Sequence, residues 1–280
     1  MNLPQPFIPE VHSFEQIRGL ASKGAARAVV IGPTVPEADD AINKATSDGL
    51  ISIVHQLKDA GSLSEITEPI TTGKIDLLIQ GATSLCPLIS ALKTGGIGGK
   101  SVLNHVAVLK PEQYPKLLML TDGAVNTDPD LKTKISLIAN LARVARAIGV
   151  ENPRVAPVAA VEAIYPQMNV TVEGAVLAKM SDRGQIKDAM VDGPLSFDVA
   201  VDMFAAHSKG ITTSAVAGQA DALLASNVQV GRGLYEAMGM FCKAERGAVI
   251  VGGPVPMAVN EPFDDSEARY NSIVLATLCK

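Results

Sequence analysis

The chain has 280 residues, 47% of them hydrophobic and 19% charged, with a formal net charge of -5. A chain that apolar with so little net charge is not disordered, and at roughly 100–200 residues per domain its length predicts two domains or one large α/β unit. Lys and Arg total 24 against 29 acidic residues, and aromatics reach only 4%, which argues against a basic, base-stacking nucleic-acid surface. No apolar run approaches the roughly 18 residues of a membrane span. Met1 to Pro9 carries three prolines and no basic-then-apolar pattern, so no secretory leader is expected and a cytoplasmic location is. Cys86, Cys242 and Cys279 are odd in number and scattered, as are His12, His55, His105 and His207, so neither disulfides nor a metal site is expected.

In chain order, short β-branched runs alternate with helical patterns. Strands are expected at Ala28–Ile31, Ile51–Val54, Ile75–Ile79, Ser101–Leu109 and Leu117–Leu120, then at Val155–Ala159, around Val191 and at Ala248–Val251. Apolar runs bounded by Gly or Pro suit buried parallel strands covered by helices on both faces. The strongest helix follows Asn126: Asp128 is the expected N-cap, Pro129 suits the first turn, and Leu131, Ile135, Ile138, Leu141, Ala145 and Ile148 recur at helical spacing before Gly149. Asp265–Cys279 reads as a last helix that packs back onto the first domain. The expected domains are 1–127 with 256–280, and 128–255.

Several motifs have plain structural explanations. Gly95–Ser101 (GGIGGKS) lacks the first glycine of a phosphate loop and lies between a helix and a strand, so a turn is expected. Asp198 and Asp202 share a helical face, but two acids near a helix start suit the macrodipole better than a metal. Asp198 is expected to accept backbone hydrogen bonds at that start. His105 is expected to be a core histidine, Cys86 a small buried hydrophobe, and Met238, Met240 and Phe241 packing residues. Gly193-Pro194 and Gly231-Arg232-Gly233 are expected where strands give way to helices, allowing close backbone approach to an anionic ligand.

Taken together, Leu120–Leu131 (LTDGAVNTDPDL), Val161-Glu162, Asp192–Ala200 (DGPLSFDVA), His207–Gly210, Ala217–Asp221, Gly231–Tyr235 and Asn271-Ser272-Ile273 resemble the phosphate acetyl/butyryl transferase family, in its phosphotransbutyrylase branch. The resemblance implies a two-domain, three-layer α/β/α fold like the isocitrate/isopropylmalate dehydrogenases, with mostly parallel sheets and an interdomain cleft. It implies conversion of a short-chain acyl-CoA and phosphate to acyl phosphate and CoA, with butyryl or branched-chain groups expected over acetyl. Coenzyme A is then a substrate; no cofactor, metal or covalent intermediate is implied, and a homodimer or higher homo-oligomer is.

The resemblance also assigns residues. Asp264 falls on the family's base, which takes the proton of the CoA thiol, and is expected to line the cleft with an open carboxylate. Glu261 and Pro262 stand where the family has Ser and Arg, and Gly231-Arg232 where it has Gly-Asn. Arg232 is therefore expected to supply the missing positive charge, pointing toward Asp264 and Glu261. Substrate-binding positions implied are Asn104, Asn126, Gly193, Pro194, Gly231, Gly253, Asn260 and Glu261. Two alternatives remain open. One is a relative that binds CoA or acyl phosphate without turnover; the other is a dehydrogenase on the related fold using Asp198 and Asp202 for a metal.

Overall fold

The computed structural model describes residues 7–21, 24–94 and 101–280. In chain order these residues form α1 (Phe14–Leu20), β1 (Ala26–Ile31), α2 (Pro36–Ser47), β2 (Ile51–Leu57), a 3₁₀ turn (Ala60–Ile66), α3 (Thr67–Thr71), β3 (Leu77–Gln80), α4 (Leu85–Thr94) and β4 (Asn104–Lys110). There follow β5 (Leu118–Thr121), α5 (Leu131–Ala147), β6 (Arg154–Pro157), α6 (Asn169–Asp182), β7 (Met190–Val191), α7 (Phe197–Val201), α8 (Met203–Ser208) and β8 (Ala222–Leu224). The chain ends with α9 (Val228–Met240), β9 (Glu245–Val251), β10 (Met257–Val259) and α10 (Ser266–Leu278).

Two compact units result: Phe14–Val108 with Glu245–Lys280, and Met1–Ser13 with Leu109–Ala244. The boundaries precede the expected ones at 127/128 and 255/256. Two pairings place them there: β5 bonds to β8, and β9 to β10. In the first unit the strand order is β2-β1-β3-β10-β9-β4. The β1–β2, β1–β3 and β3–β10 pairs are parallel, while β9 and β10 are antiparallel because only residues 252–256 join them. Gly252 turns that corner at φ 90°, with Gly253 half-buried beside it. The second unit has the order β5-β8-β6-β7, with parallel pairs throughout.

Burial follows the expected pattern in the inner strands but not in the edge strand β2, where Ile53 to Gln56 are exposed. All four residues of β3 and of β5 are buried, as parallel strands between helical layers require. β8 and β10 are absent from the sequence-derived strands. Each has only three residues, Ala222-Leu223-Leu224 in β8 and Met257-Ala258-Val259 in β10, too short for a period to register.

The cap of α5 is Asp130, whose carboxylate accepts from the Thr133 N–H at 2.7 Å, and not Asp128. Gly149, at φ 81°, does follow its last turn. Gly231 and Gly233 lie inside α9, which starts at Val228 behind the Asn227 cap, rather than at a strand-to-helix turn. Cys86 is exposed on α4, which buries Leu88, Ile89 and Leu92 instead. Met238 is buried as expected, but Met240 and Phe241 are exposed, Phe241 at 86%, where α9 runs out into solvent. The glycine-rich expectation for Gly95–Ser101 falls almost wholly outside the described residues.

Candidate active site

In the first unit the expected site residues gather after β10. Asp264 is buried, 4% exposed, and both of its carboxylate oxygens are engaged. Arg246 Nε donates to Oδ1 at 2.6 Å, and the Glu261 N–H donates to Oδ2 at 2.7 Å. The expected open carboxylate is thus a buried, ion-paired one, because the four-residue turn closes on itself: the Asp264 N–H also reaches the Glu261 carbonyl at 3.0 Å. Arg269 of α10 braces the same turn, donating to the carbonyls of Asp264 at 3.1 Å and Glu261 at 3.2 Å. Next to it, the Asn260 N–H donates to Gln80 Oε1 at 2.9 Å, while Gln80 Nε2 reaches the Thr83 carbonyl at 2.8 Å. Asn260 is buried, and among the described residues its Oδ1 has no donor. An orphaned buried acceptor costs about 1–3 kcal/mol, so this atom calls for a water or a ligand donor. Asn104 and His105, at the start of β4, are buried.

In the second unit, Asp122 organises the loop that carries Asn126. Its Oδ1 accepts from the N–H groups of Ala124 at 2.8 Å and Val125 at 2.9 Å, and its Oδ2 accepts from Asn126 Nδ2 at 2.6 Å. This loop lies directly against α9: a Cβ on Gly231 would stand 2.3 Å from the Asp122 carbonyl oxygen and 2.9 Å from Gly123 Cα. Gly231 is therefore required for backbone-to-backbone contact. Arg232, the next residue, is partly exposed, and its Nε pairs with Glu236 one turn on at 2.6 Å.

Gly193 and Pro194 make their contacts with β6 and α6. A Cβ on Gly193 would lie 3.1 Å from Pro157 Cδ, and one on Gly174 would lie 3.0 Å from Pro194 Cα. Both residues line a polar cavity of about 580 Å³ with Glu162, Ser181, Asp192 and Thr213. At its edge the Ser196 hydroxyl lies within hydrogen-bond distance of Glu162 and, at 2.5 Å, of Asp198, with one proton shared between them, and accepts from Lys209 at 3.0 Å. Lys209 donates to Glu162 at 3.3 Å and to Asp198 at 3.0 Å. The Ser196 and Lys209 hydrogen bonds hold the Asp198 carboxyl down at about 2. Glu162 also lies below its ordinary value; burial opposes this, but the bonds from Ser196 and Lys209 prevail. Asp198 thus braces the loop through side chains more than through the backbone bonds expected of it, and Asp202 caps α8 at the Phe204 N–H, 2.9 Å away. Among the described residues, no group of three or more His, Cys, Asp or Glu side chains is placed to hold a metal.

Two arginines and two acceptors carry the site without having been singled out from the sequence: Arg246, Arg269, Asp122 and Gln80. The Asp-Gly step in LTDGAVN marks Asp122 as a turn residue, and such a turn orients the following Asn. Arg246, Arg269 and Gln80 have no such local signal. Each acts on a residue or loop distant in sequence or one turn away.

Mostly parallel α/β units, a buried carboxylate turn and a backbone-packed Asp-Gly loop define a two-unit α/β scaffold. The chain belongs to the phosphate acetyl/butaryl transferase family, whose model matches residues 56–277. It is 37% identical over 270 residues to a phosphate butyryltransferase of Clostridium acetobutylicum, covering 94% of this chain and 88% of that one. A branched-chain phosphotransacylase from Enterococcus faecalis V583 superposes with a TM-score of 0.76 at 26% identity, over 90% of this chain and 98% of that one. A β-decarboxylating dehydrogenase from Thermococcus kodakarensis shares the fold alone, with a TM-score of 0.50 at 11% identity, over 86% and 76%. No helix among the described residues is long and apolar enough to cross a membrane.

Proposed function

We propose that this protein is a phosphate acyltransferase that interconverts a short-chain acyl-CoA plus phosphate with acyl phosphate plus CoA, acting on butyryl or branched-chain groups in preference to acetyl. The observation that carries the reading is the buried, oriented Asp264 carboxylate, at the position the resemblance assigns to the base. Toward acyl phosphate, a phosphate oxygen attacks the thioester carbonyl, the C–S bond breaks, and the leaving sulfur regains a proton. In reverse, a base removes the thiol proton, because a thiol near pKa 8.5 is a weak nucleophile at neutral pH. Asp264 serves as that group in both directions, and Arg232 as a ligand for the phosphate or acyl phosphate. Asn260 Oδ1 is a natural acceptor for a donor on the bound substrate. Asn104, Asn126, Gly193, Pro194, Gly231, Gly253 and Glu261 remain proposed substrate contacts. A homodimer is proposed with them, as is a cytoplasmic setting.

The test is thiol release with phosphate across acetyl-, propionyl-, butyryl- and branched acyl-CoA, with and without chelator. Turnover highest on butyryl or branched substrates and indifferent to chelator is expected. Asp264→Asn should lower it by about 10²–10⁴. Full activity in Asp264→Asn would remove Asp264 from the reaction. A second reading, CoA or acyl-phosphate binding without turnover, is favoured by one observation: Glu261 and Pro262 stand in the Asp264 turn where the resemblance implies Ser and Arg. Tight CoA binding with no thiol release from any substrate would select it.

A further inference from the structure

We infer that Arg246 is a positioning residue for Asp264, supplying from strand β9 the cation that the Glu261–Asp264 turn does not contain. The inference rests on the transferase reading, in which Asp264 handles the thiol proton. Within the turn, Pro262 offers neither charge nor N–H, and Glu261 brings a second negative charge. The cation therefore has to come from another element. Arg246 is the second residue of β9, and its side chain is nearly buried, 10% exposed, against an Asp264 carboxylate that is 2% exposed. Its Nε stands 2.6 Å from Asp264 Oδ1, its Nη2 donates to the Phe263 carbonyl at 3.2 Å, and its guanidinium carbon lies 5.0 Å from the centre of the Phe263 ring. One side chain thus holds the carboxylate, the neighbouring backbone and the neighbouring ring at once.

That arrangement decides which way the carboxylate faces. With Arg246 on Oδ1 and the Glu261 N–H on Oδ2, rotation of the group is blocked. Each carboxylate oxygen has a second acceptor direction, so a held anion still accepts a proton from a group presented there. A planar guanidinium can grip carboxylate, carbonyl and ring together, whereas an ammonium gives only a point charge. Arg269, in the first turn of α10 just after Asp264, braces the turn through backbone carbonyls, so it shapes the turn, while Arg246 aims the reacting group.

The experiment compares wild type, Arg246→Ala and Arg246→Lys in the thiol-release assay, with circular dichroism confirming the fold. Arg246→Ala should lower kcat by about 10²-fold, as a misaimed group does, with KM for acyl-CoA and for phosphate within about threefold. Arg246→Lys should recover about tenfold of that loss by restoring the charge without the fork. If Arg246→Ala does not fold, Arg246→Gln, which keeps a donor for the carboxylate, carries the same comparison. A folded variant with wild-type kcat, or a loss found wholly in KM, overturns the positioning role while leaving the transferase reading intact. A wild type that releases no thiol from any acyl-CoA overturns both.

Discussion

Gly231 shows how much can rest on a missing Cβ. The position looks like a turn glycine, yet its φ is helical and the glycine is needed because the Asp122–Gly123 backbone presses against α9. Asp122 in turn places Asn126, so the contact connects helix packing to a proposed substrate residue. Gly231→Ala should destabilise the protein by about 1–3 kcal/mol through overpacking, read as a lower urea midpoint, and should lower activity in the folded fraction. An unchanged midpoint would mean the loop yields freely. Asp264 was assigned by the resemblance; Asp122 was not singled out, although its Asp-Gly step carries a turn signal. Arg246, 18 residues before its partner and on a different element, had no marker at all.

At the scale of elements, the 3.6-residue period placed α5 within two residues, the last helix was read to within one residue at each end, and apolar runs placed most strands. The failures were ends and short pieces, where one hydrogen bond outweighs a pattern: Asp130 over Asp128, and the three-residue β8 and β10. The start of α7 adds a pH dependence. Its Asp198 carboxyl is held at about 2 in the folded protein by Ser196 and Lys209, against roughly 4 when unfolded. A lowered carboxyl contributes stability above the unfolded value and loses it as the pH falls toward the folded one. The melting temperature of wild type should therefore exceed that of Asp198→Asn at about pH 6, and the gap should close between roughly pH 4 and pH 2. A gap independent of pH over that window would remove the charge from the explanation.

For the whole molecule, the decisive feature is that each unit is built from two separated stretches of chain. The last helix is integral to the first unit: every residue from Ala268 to Thr277 is buried. Gly247 lets it approach β9, since a Cβ there would meet Asn271 at 2.9 Å, and Ser272 Oγ accepts the Ala248 N–H at 2.9 Å. Asn271 accepts from Arg18 Nε at 3.0 Å and donates to the Arg246 carbonyl at 3.1 Å. A chain ending at Asp265 should lose cooperative unfolding and expose apolar surface, seen as dye binding and a missing thermal transition. A sharp transition at the wild-type temperature would show α10 to be dispensable.

By itself the sequence determined the class of fold, the alternation of strands and helices, the return of the last helix and the family, because periodicity and colinear motifs are local and survive in one dimension. Only the tertiary structure decided where the units divide, which side chain meets Asp264 and why Gly231 must be glycine. Those are contacts between residues far apart in the chain, set by burial: a carboxylate taken out of water requires a cation, and which arginine supplies it depends on how β9 and the Glu261–Asp264 turn are packed, not on their spacing.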